Sequence, residues 1–241
     1  MNDPAAPIPT TSFRRPLPPA LAEHIGDLTR DPERIAEAHR TAGRALAGWI
    51  IENFEEGRPL GVVVVCTGNS RRSMLGSILG NCAAAYFGLP EVRFHSGGTG
   101  PTAFNPRTIA ALRRIGVEVE TTGEEAARGE PGVANPVYRV RWGSAGGPPM
   151  EVVEFSKRYD DPSNPRSGFA ALMVCDEADA GCPTVPGATL RLSLPFADPK
   201  RYDDTPEEAA RYDESRDEIG RLMAWVLGEV RRRLDGRPMS A

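Results

Sequence analysis

Residues 61–73 read G-V-V-V-V-C-T-G-N-S-R-R-S. Consecutive valines bounded by turn residues suit a strand buried on both faces, as in a parallel sheet. The polar loop that follows opens on Cys66. From there a helical pattern runs to about Phe87, with Leu75, Ile78, Leu79, Cys82 and Tyr86 on one face. Strand, tight polar loop, helix is the layout of a phosphate-binding βα turn. In such a loop the backbone N–H groups of Thr67, Gly68, Asn69, Ser70, Arg71 and Arg72 can point inward and cradle a tetrahedral oxyanion. The helix N-terminus adds partial positive charge, and the Arg72 guanidinium can offer two parallel N–H donors to the same anion. These groups also stabilise a thiolate, which makes Cys66 the candidate nucleophile for in-line attack. A C-x5-R spacing by itself occurs by chance. Placed across a strand-to-helix junction, with Gly68 inside and Ser73 after, it is far more specific. The plainer alternative is a buried cysteine at a strand end beside a surface arginine.

Outward from this unit, strands alternate with helices. Val92–Ser96, Ala170–Val174 and Thr189–Leu194 are short apolar runs that read as strands, and a helix is expected from about Pro106 to Ile115. The alternation predicts an α/β fold, a parallel sheet with helices on both sides. Before the sheet, Asp31 as N-cap with Pro32 behind it is expected to open a helix carrying Ile35, Ala38, Ala42, Leu46, Trp49, Ile50 and Phe54 on one stripe. After it, Thr205-Pro206-Glu207-Glu208 reads as a capping box for a C-terminal helix with Ile219, Leu222, Met223, Val226, Leu227 and Val230 on its apolar face. Residues 1 to about 19 are proline-rich and read as an extended arm. Residues 123–168, rich in Gly, Pro, Asn and Arg, read as an inserted hairpin or lid built on Val137–Trp142 and Met150–Phe155. The organisation expected is an N-terminal arm and helical extension over 1–59 and a catalytic domain over 60–235 that carries the 123–168 insertion.

Composition narrows the function. The 241 residues are 40% hydrophobic and 26% charged, as in ordinary globular proteins, and the net charge of −4 lacks the basic footprint of a nucleic-acid binder. No apolar run is long enough for a membrane span, and the first residues lack the apolar core of a secretory signal. Four cysteines are too sparse for a disulfide scaffold, which together with the missing signal points to a cytoplasmic protein. Spacing suggests no metal site, and no resident cofactor is implied. His95 reads as a structural strand-end residue and Cys82 as core filler.

The loop V-C-T-G-N-S-R-R-S-M resembles the signature of the low-molecular-weight protein tyrosine phosphatases. It is more similar still to that of their relatives, the thioredoxin-coupled arsenate reductases. The likeness continues through H-S-G-G-T-G-P-T-A-F-N-P-R-T-I-A-A-L-R-R-I-G-V, residues 95–117, and resumes from Ala171 to about Leu227. It implies a four-stranded parallel sheet flanked by helices, a Rossmann-like three-layer arrangement. It also implies that Asp198, in L-P-F-A-D-P-K, is the general acid that protonates a leaving oxygen. On local grounds alone, Asp198 is a turn residue before Pro199. Cys175 and Cys182, in C-D-E-A-D-A-G-C-P, resemble the resolving pair of the reductases. The implied relay takes Cys66 to arsenate, Cys175 to the adduct and Cys182 to Cys175, with thioredoxin as external reductant. The less favoured readings are two buried cysteines or metal ligands, although no histidine flanks them.

This chain departs from the pattern at Arg71, where both groups usually carry a cysteine. Arg71 is expected to add charge near the loop or, preferentially, to point to solvent, and Asp203 and Asp204 are expected to be solvated. Lys200 and Arg201 follow Asp198-Pro199 where phosphotyrosine enzymes often have aromatic residues. Tyr138, Trp142, Phe155 or Tyr159 of the insertion could wall the mouth instead, or simply pack. The reading is thus an arsenate reductase, with a phosphatase acting through a phosphocysteine as the alternative and a non-catalytic phosphate- or phosphoprotein-binding module as a third. The partners expected are arsenate, phosphate or a phosphorylated substrate.

Overall fold

The computed structural model describes residues 17–143, 150–182 and 184–236. Residues 1–16 of the proline-rich arm lie outside them. The valine run forms β1 (Leu60–Cys66), the second strand from one edge of a four-stranded sheet. β2 (Val92–Gly98) lies on one side of β1, and the later strands β6 (Phe169–Met173) and β7 (Ala188–Ser193) follow on the other, in the order β2-β1-β6-β7. Every neighbour is parallel. All five residues of β6 are buried, as an unbroken apolar strand in the middle of a parallel sheet must be.

Helices α1 (Pro19–Leu28), α2 (Glu37–Asn53), α3 (Arg72–Tyr86), α4 (Pro106–Arg114) and the 27-residue α6 (Glu208–Leu234) flank this sheet. α3 was expected to show one apolar face, yet every residue from Arg72 to Ala85 is buried. It lies between the sheet and α6, and small residues permit the approach. A Cβ on Gly80 would stand 2.4 Å from Phe94 Cγ, and one on Gly76 2.8 Å from Val64 Cγ1. Leu21, Ile25, Leu46 and Ile50 of the N-terminal helices join the same core as the sheet valines.

The opposite face of the sheet is covered differently. Gly61 and Gly97 look out on Pro165 and Tyr159, so the segment after residue 156 runs across it as a strap. The short α5 (Asp176–Gly181), which follows β6, shares that side, because Cys182 at its end lies against Tyr159.

The insertion is a hairpin, β4 (Pro136–Arg141) and β5 (Glu151–Glu154), and it has a third partner. β3 (Glu118–Glu125) pairs antiparallel with β4, making a second sheet in the order β3-β4-β5. Two helix starts differ from expectation. Asp31-Pro32 opens only a 3₁₀ turn, Pro32–Arg34; Ile35 then becomes extended, and α2 starts at Glu37 with no side-chain cap. Ile35 is buried all the same, as an extended residue between the 3₁₀ turn and α2. At α6 the Thr205 hydroxyl donates to Tyr202 O instead of capping, whereas Glu208 does reach back, accepting from the Asp204 N–H at 2.7 Å.

Candidate active site

The loop after β1 is built by turning its carbonyls outward. Cys66 O accepts from Thr99 N, Thr67 O from Gly100 N, and Ser70 O from Asn105 N. Gly68 O accepts from Thr102 N and from the Ser156 hydroxyl. No N–H from Thr67 to Arg71 donates to any group among the described residues. Carbonyls bound on the outside and amides uncommitted on the inside are what an oxyanion cradle requires. Asn69 makes the bend, at φ 42°, a left-handed conformation that asparagine tolerates better than most residues. Its side chain is locked on both sides, donating to Ser73 Oγ at 2.9 Å and accepting from Lys157 N at 2.8 Å. Ser73 Oγ in turn lies 3.1 Å from Cys66 Sγ. Gly98 lets the adjacent strand close on the loop, since a Cβ there would come within 2.6 Å of Thr67 O.

Sequence reasoning missed the outer shell of this loop. Ser156 is held by Asn135, which accepts from Ser156 N and donates to Ser156 O and Ala127 O. Lys157 and Glu154 form a buried ion pair at 2.9 Å, and Glu154 also accepts from Ser96 Oγ at 2.8 Å. The insertion thus supplies the floor against which the loop is set. No local signal set Glu154 and Lys157 apart, since Glu151, Arg158, Asp160 and Asp161 crowd the same stretch with charge.

Arg72 follows this loop and opens α3. It is buried, donating through Nη1 to Phe196 O at 2.9 Å and through Nη2 to Asp198 Oδ2 at 2.7 Å. Asp198 also caps the 3₁₀ turn Pro199–Tyr202, accepting from Lys200 N at 3.0 Å. The turn role and the position beside the arginine therefore coexist in one carboxylate.

Arg71 corrects the sequence reading. Its side chain does not point to solvent. Nε donates to Tyr212 Oη at 2.7 Å, Nη2 to Asp203 Oδ2 at 3.1 Å, and Tyr212 Oη donates to Asp203 Oδ1 at 2.7 Å, closing a cycle. Asp203 is therefore not solvated, whereas Asp204, bonded to Arg107, is 89% exposed. Burial, with the Asp203 carboxylate beside it, pushes the Tyr212 phenol up to about 12, so its hydroxyl remains protonated at neutral pH. Tyr212 falls in a charged stretch of α6 and no sequence signal singled it out.

The four cysteines are free thiols. Cys175, just after β6, places Sγ 3.5 Å from Thr67 Oγ1, against the loop that follows β1. Burial raises its pKa, and the neighbouring Cys66 adds to the effect. Cys182 stands at the far end of α5, against the Tyr159 phenol. Cys82 is wholly enclosed in the core, and burial raises its thiol well beyond the usual range. Burial likewise lowers the His95 pKa, favouring the neutral ring. Among the described residues no group of three His, Cys, Asp or Glu side chains could hold a metal ion, and no helix is long and apolar enough to cross a membrane. Of the insertion's aromatic residues, Tyr138 packs edge-on against Phe104, and Trp142 is buried.

No family model matches the chain, and no curated protein matches it. Solved structures do. A low-molecular-weight protein tyrosine phosphatase from Bacillus subtilis shares 16% identity at a TM-score of 0.44, over 74% of this chain and 100% of that one. Its counterpart from T. tengcongensis shares 15% at 0.42, over 70% and 98%. The YwlE arginine phosphatase shares 15% at 0.42, over 73% and 99%.

Proposed function

We propose that this chain is a thiol enzyme that reduces arsenate, with Cys66 as nucleophile and the N–H groups of Thr67, Gly68, Asn69, Ser70 and Arg71 together with Arg72 as the cradle. Asp198 is the proton donor, Ser73 supports the thiolate, and Cys175 and Cys182 are the resolving thiols. The observation that supports reduction is the placement of Cys175 against Thr67 of the nucleophile loop, with Cys182 one short helix away.

The Cys66 thiolate attacks arsenic, and an arsenate hydroxyl leaves as water after taking a proton from Asp198. Cys175 attacks Cys66 Sγ, its thiol proton passing to an oxygen of the departing arsenic group. The S–As electron pair stays on arsenic, which departs as arsenite, and the two thiols become a Cys66–Cys175 disulfide. Cys182 then attacks Cys175, Cys66 leaves as a thiolate, and an external dithiol such as thioredoxin reduces the Cys175–Cys182 disulfide. Such a relay suits a reducing compartment, the cytoplasm.

A second reading rests on Asp198. A carboxyl group beside Arg72 can equally protonate the alkoxide leaving from a phosphomonoester, after which water releases phosphate from Cys66. One experiment separates the two. Reduced protein is incubated with arsenate, thioredoxin, thioredoxin reductase and NADPH, beside a Cys182→Ser variant and an aryl-phosphate assay. Arsenate-dependent NADPH loss that disappears in Cys182→Ser supports reduction. Aryl-phosphate hydrolysis that survives Cys182→Ser, with no NADPH loss, leaves the phosphatase.

A further inference from the structure

We infer that Arg71, Tyr212 and Asp203 form a clamp that keeps the Asp198 loop at the cradle when Arg72 turns from Asp198 to a bound oxyanion. In the structure both Nη atoms of Arg72 are spent on that loop, one on Phe196 O and one on the Asp198 carboxylate. An oxyanion in the cradle competes for the same guanidinium. The loop would thus lose a tether at the moment its acid is needed.

A second tether exists that an anion does not contest. Arg71 precedes Arg72 in the cradle, yet its side chain runs the other way, to Tyr212 on α6 and to Asp203. Asp203 directly follows the 3₁₀ turn that Asp198 caps, so holding Asp203 holds that turn. Arg107 reinforces it, donating to Asp204 at 2.6 Å and to Glu208 at 2.5 Å. The side chains of Arg71, Tyr212 and Asp203 touch no reacting atom; they position the loop, while the Arg71 backbone N–H belongs to the cradle. The inference rests on the reading of Asp198 as proton donor and of the loop as an oxyanion cradle.

Amide hydrogen exchange on the full chain, with and without saturating inorganic phosphate, tests it without requiring turnover. The variants are Tyr212→Phe, which keeps the buried ring, and Asp203→Asn. Without phosphate, peptides covering 197–204 should exchange as in the parent, because Arg72 still holds Asp198. With phosphate they should exchange about ten-fold faster than in the phosphate-bound parent, the scale of a lost hydrogen bond to a charged group. Equal acceleration with and without phosphate would mean a merely structural contact and would overturn the clamp, as would no acceleration at all. If phosphate leaves exchange of residues 67–72 in the parent unchanged, the cradle reading itself fails and the clamp goes with it.

Discussion

Alanine at Arg191 should loosen α5 and speed formation of a Cys175–Cys182 disulfide. The two cysteines flank a six-residue helix. At roughly 1.5 Å of rise per residue, that geometry separates their Cα atoms by about 10 Å along the axis. A disulfide needs roughly 4.4–6.8 Å, so the outer thiol can reach the inner one only if α5 unwinds. The helix itself resists weakly, since one so short is marginal alone. Its main external hold is Arg191 on β7, which donates to Asp179 O at 2.8 Å, Asp179 Oδ1 at 2.6 Å and Cys182 O at 3.0 Å. The Arg191 side chain is 25% exposed, so solvent screening discounts these bonds. Their loss is worth about 1–2 kcal/mol, or roughly 5- to 30-fold in the population of unwound α5. The assay treats reduced Cys66→Ser protein, with and without Arg191→Ala, with diamide, quenches at intervals and counts the disulfide by mass spectrometry. A rate unchanged by Arg191→Ala would refute the reasoning. So would a disulfide formed while the amides of residues 178–182 remain protected from exchange.

Arg72→Lys keeps the charge but loses the planar fork, and kcat/KM should fall about 10²- to 10³-fold with little change in the urea midpoint; a loss under three-fold would deny Arg72 its place in the cradle. Lys157→Met strands the buried Glu154 carboxylate and should destabilise the fold by about 3–5 kcal/mol in urea titration, with Glu154→Gln in the same chain restoring most of it. Burial opposes charge on Asp217, but its bonds to His24 and Arg216 more than offset this and hold its pKa below the usual carboxylate value. A depressed carboxylate stabilises the fold above its unfolded pKa and loses that contribution as pH falls through the folded one. The gap in urea midpoint between parent and Asp217→Asn should therefore be full near pH 6 and close as the pH drops below about 4; a gap independent of pH would sink the assignment.

Legibility in the sequence tracked how local the signal was. The buried strand β1 was plain because four valines in succession have no other ready use. β3 was invisible, because only Val119 of its eight residues is buried and the rest face solvent as Glu, Thr and Gly. It is a strand because β4 pairs with it, which no local pattern records. The cap signal at Asp31-Pro32 opened only a 3₁₀ turn, with Ile35 extended and buried after it; a cap contributes only about 1 kcal/mol.

What the sequence by itself determined is the unit from Leu60 to Tyr86: a buried strand, a polar loop opening on Cys66 and closing on Arg72, and a helix behind it. Those features are written in contiguous residues, because strand burial, backbone hydrogen bonding and helix polarity act over a few positions. Only the tertiary structure decided that Arg71 turns to Asp203 and Tyr212, that Arg72 rests on Asp198, that Cys175 lies against Thr67, and that the insertion floors the loop through Asn135, Ser156 and Lys157. Nearly all of these contacts join residues tens of positions apart or more. A buried charge or polar group accepts whichever partner packing brings within about 3 Å, and that partner is set by how the layers close, not by its neighbours in the chain.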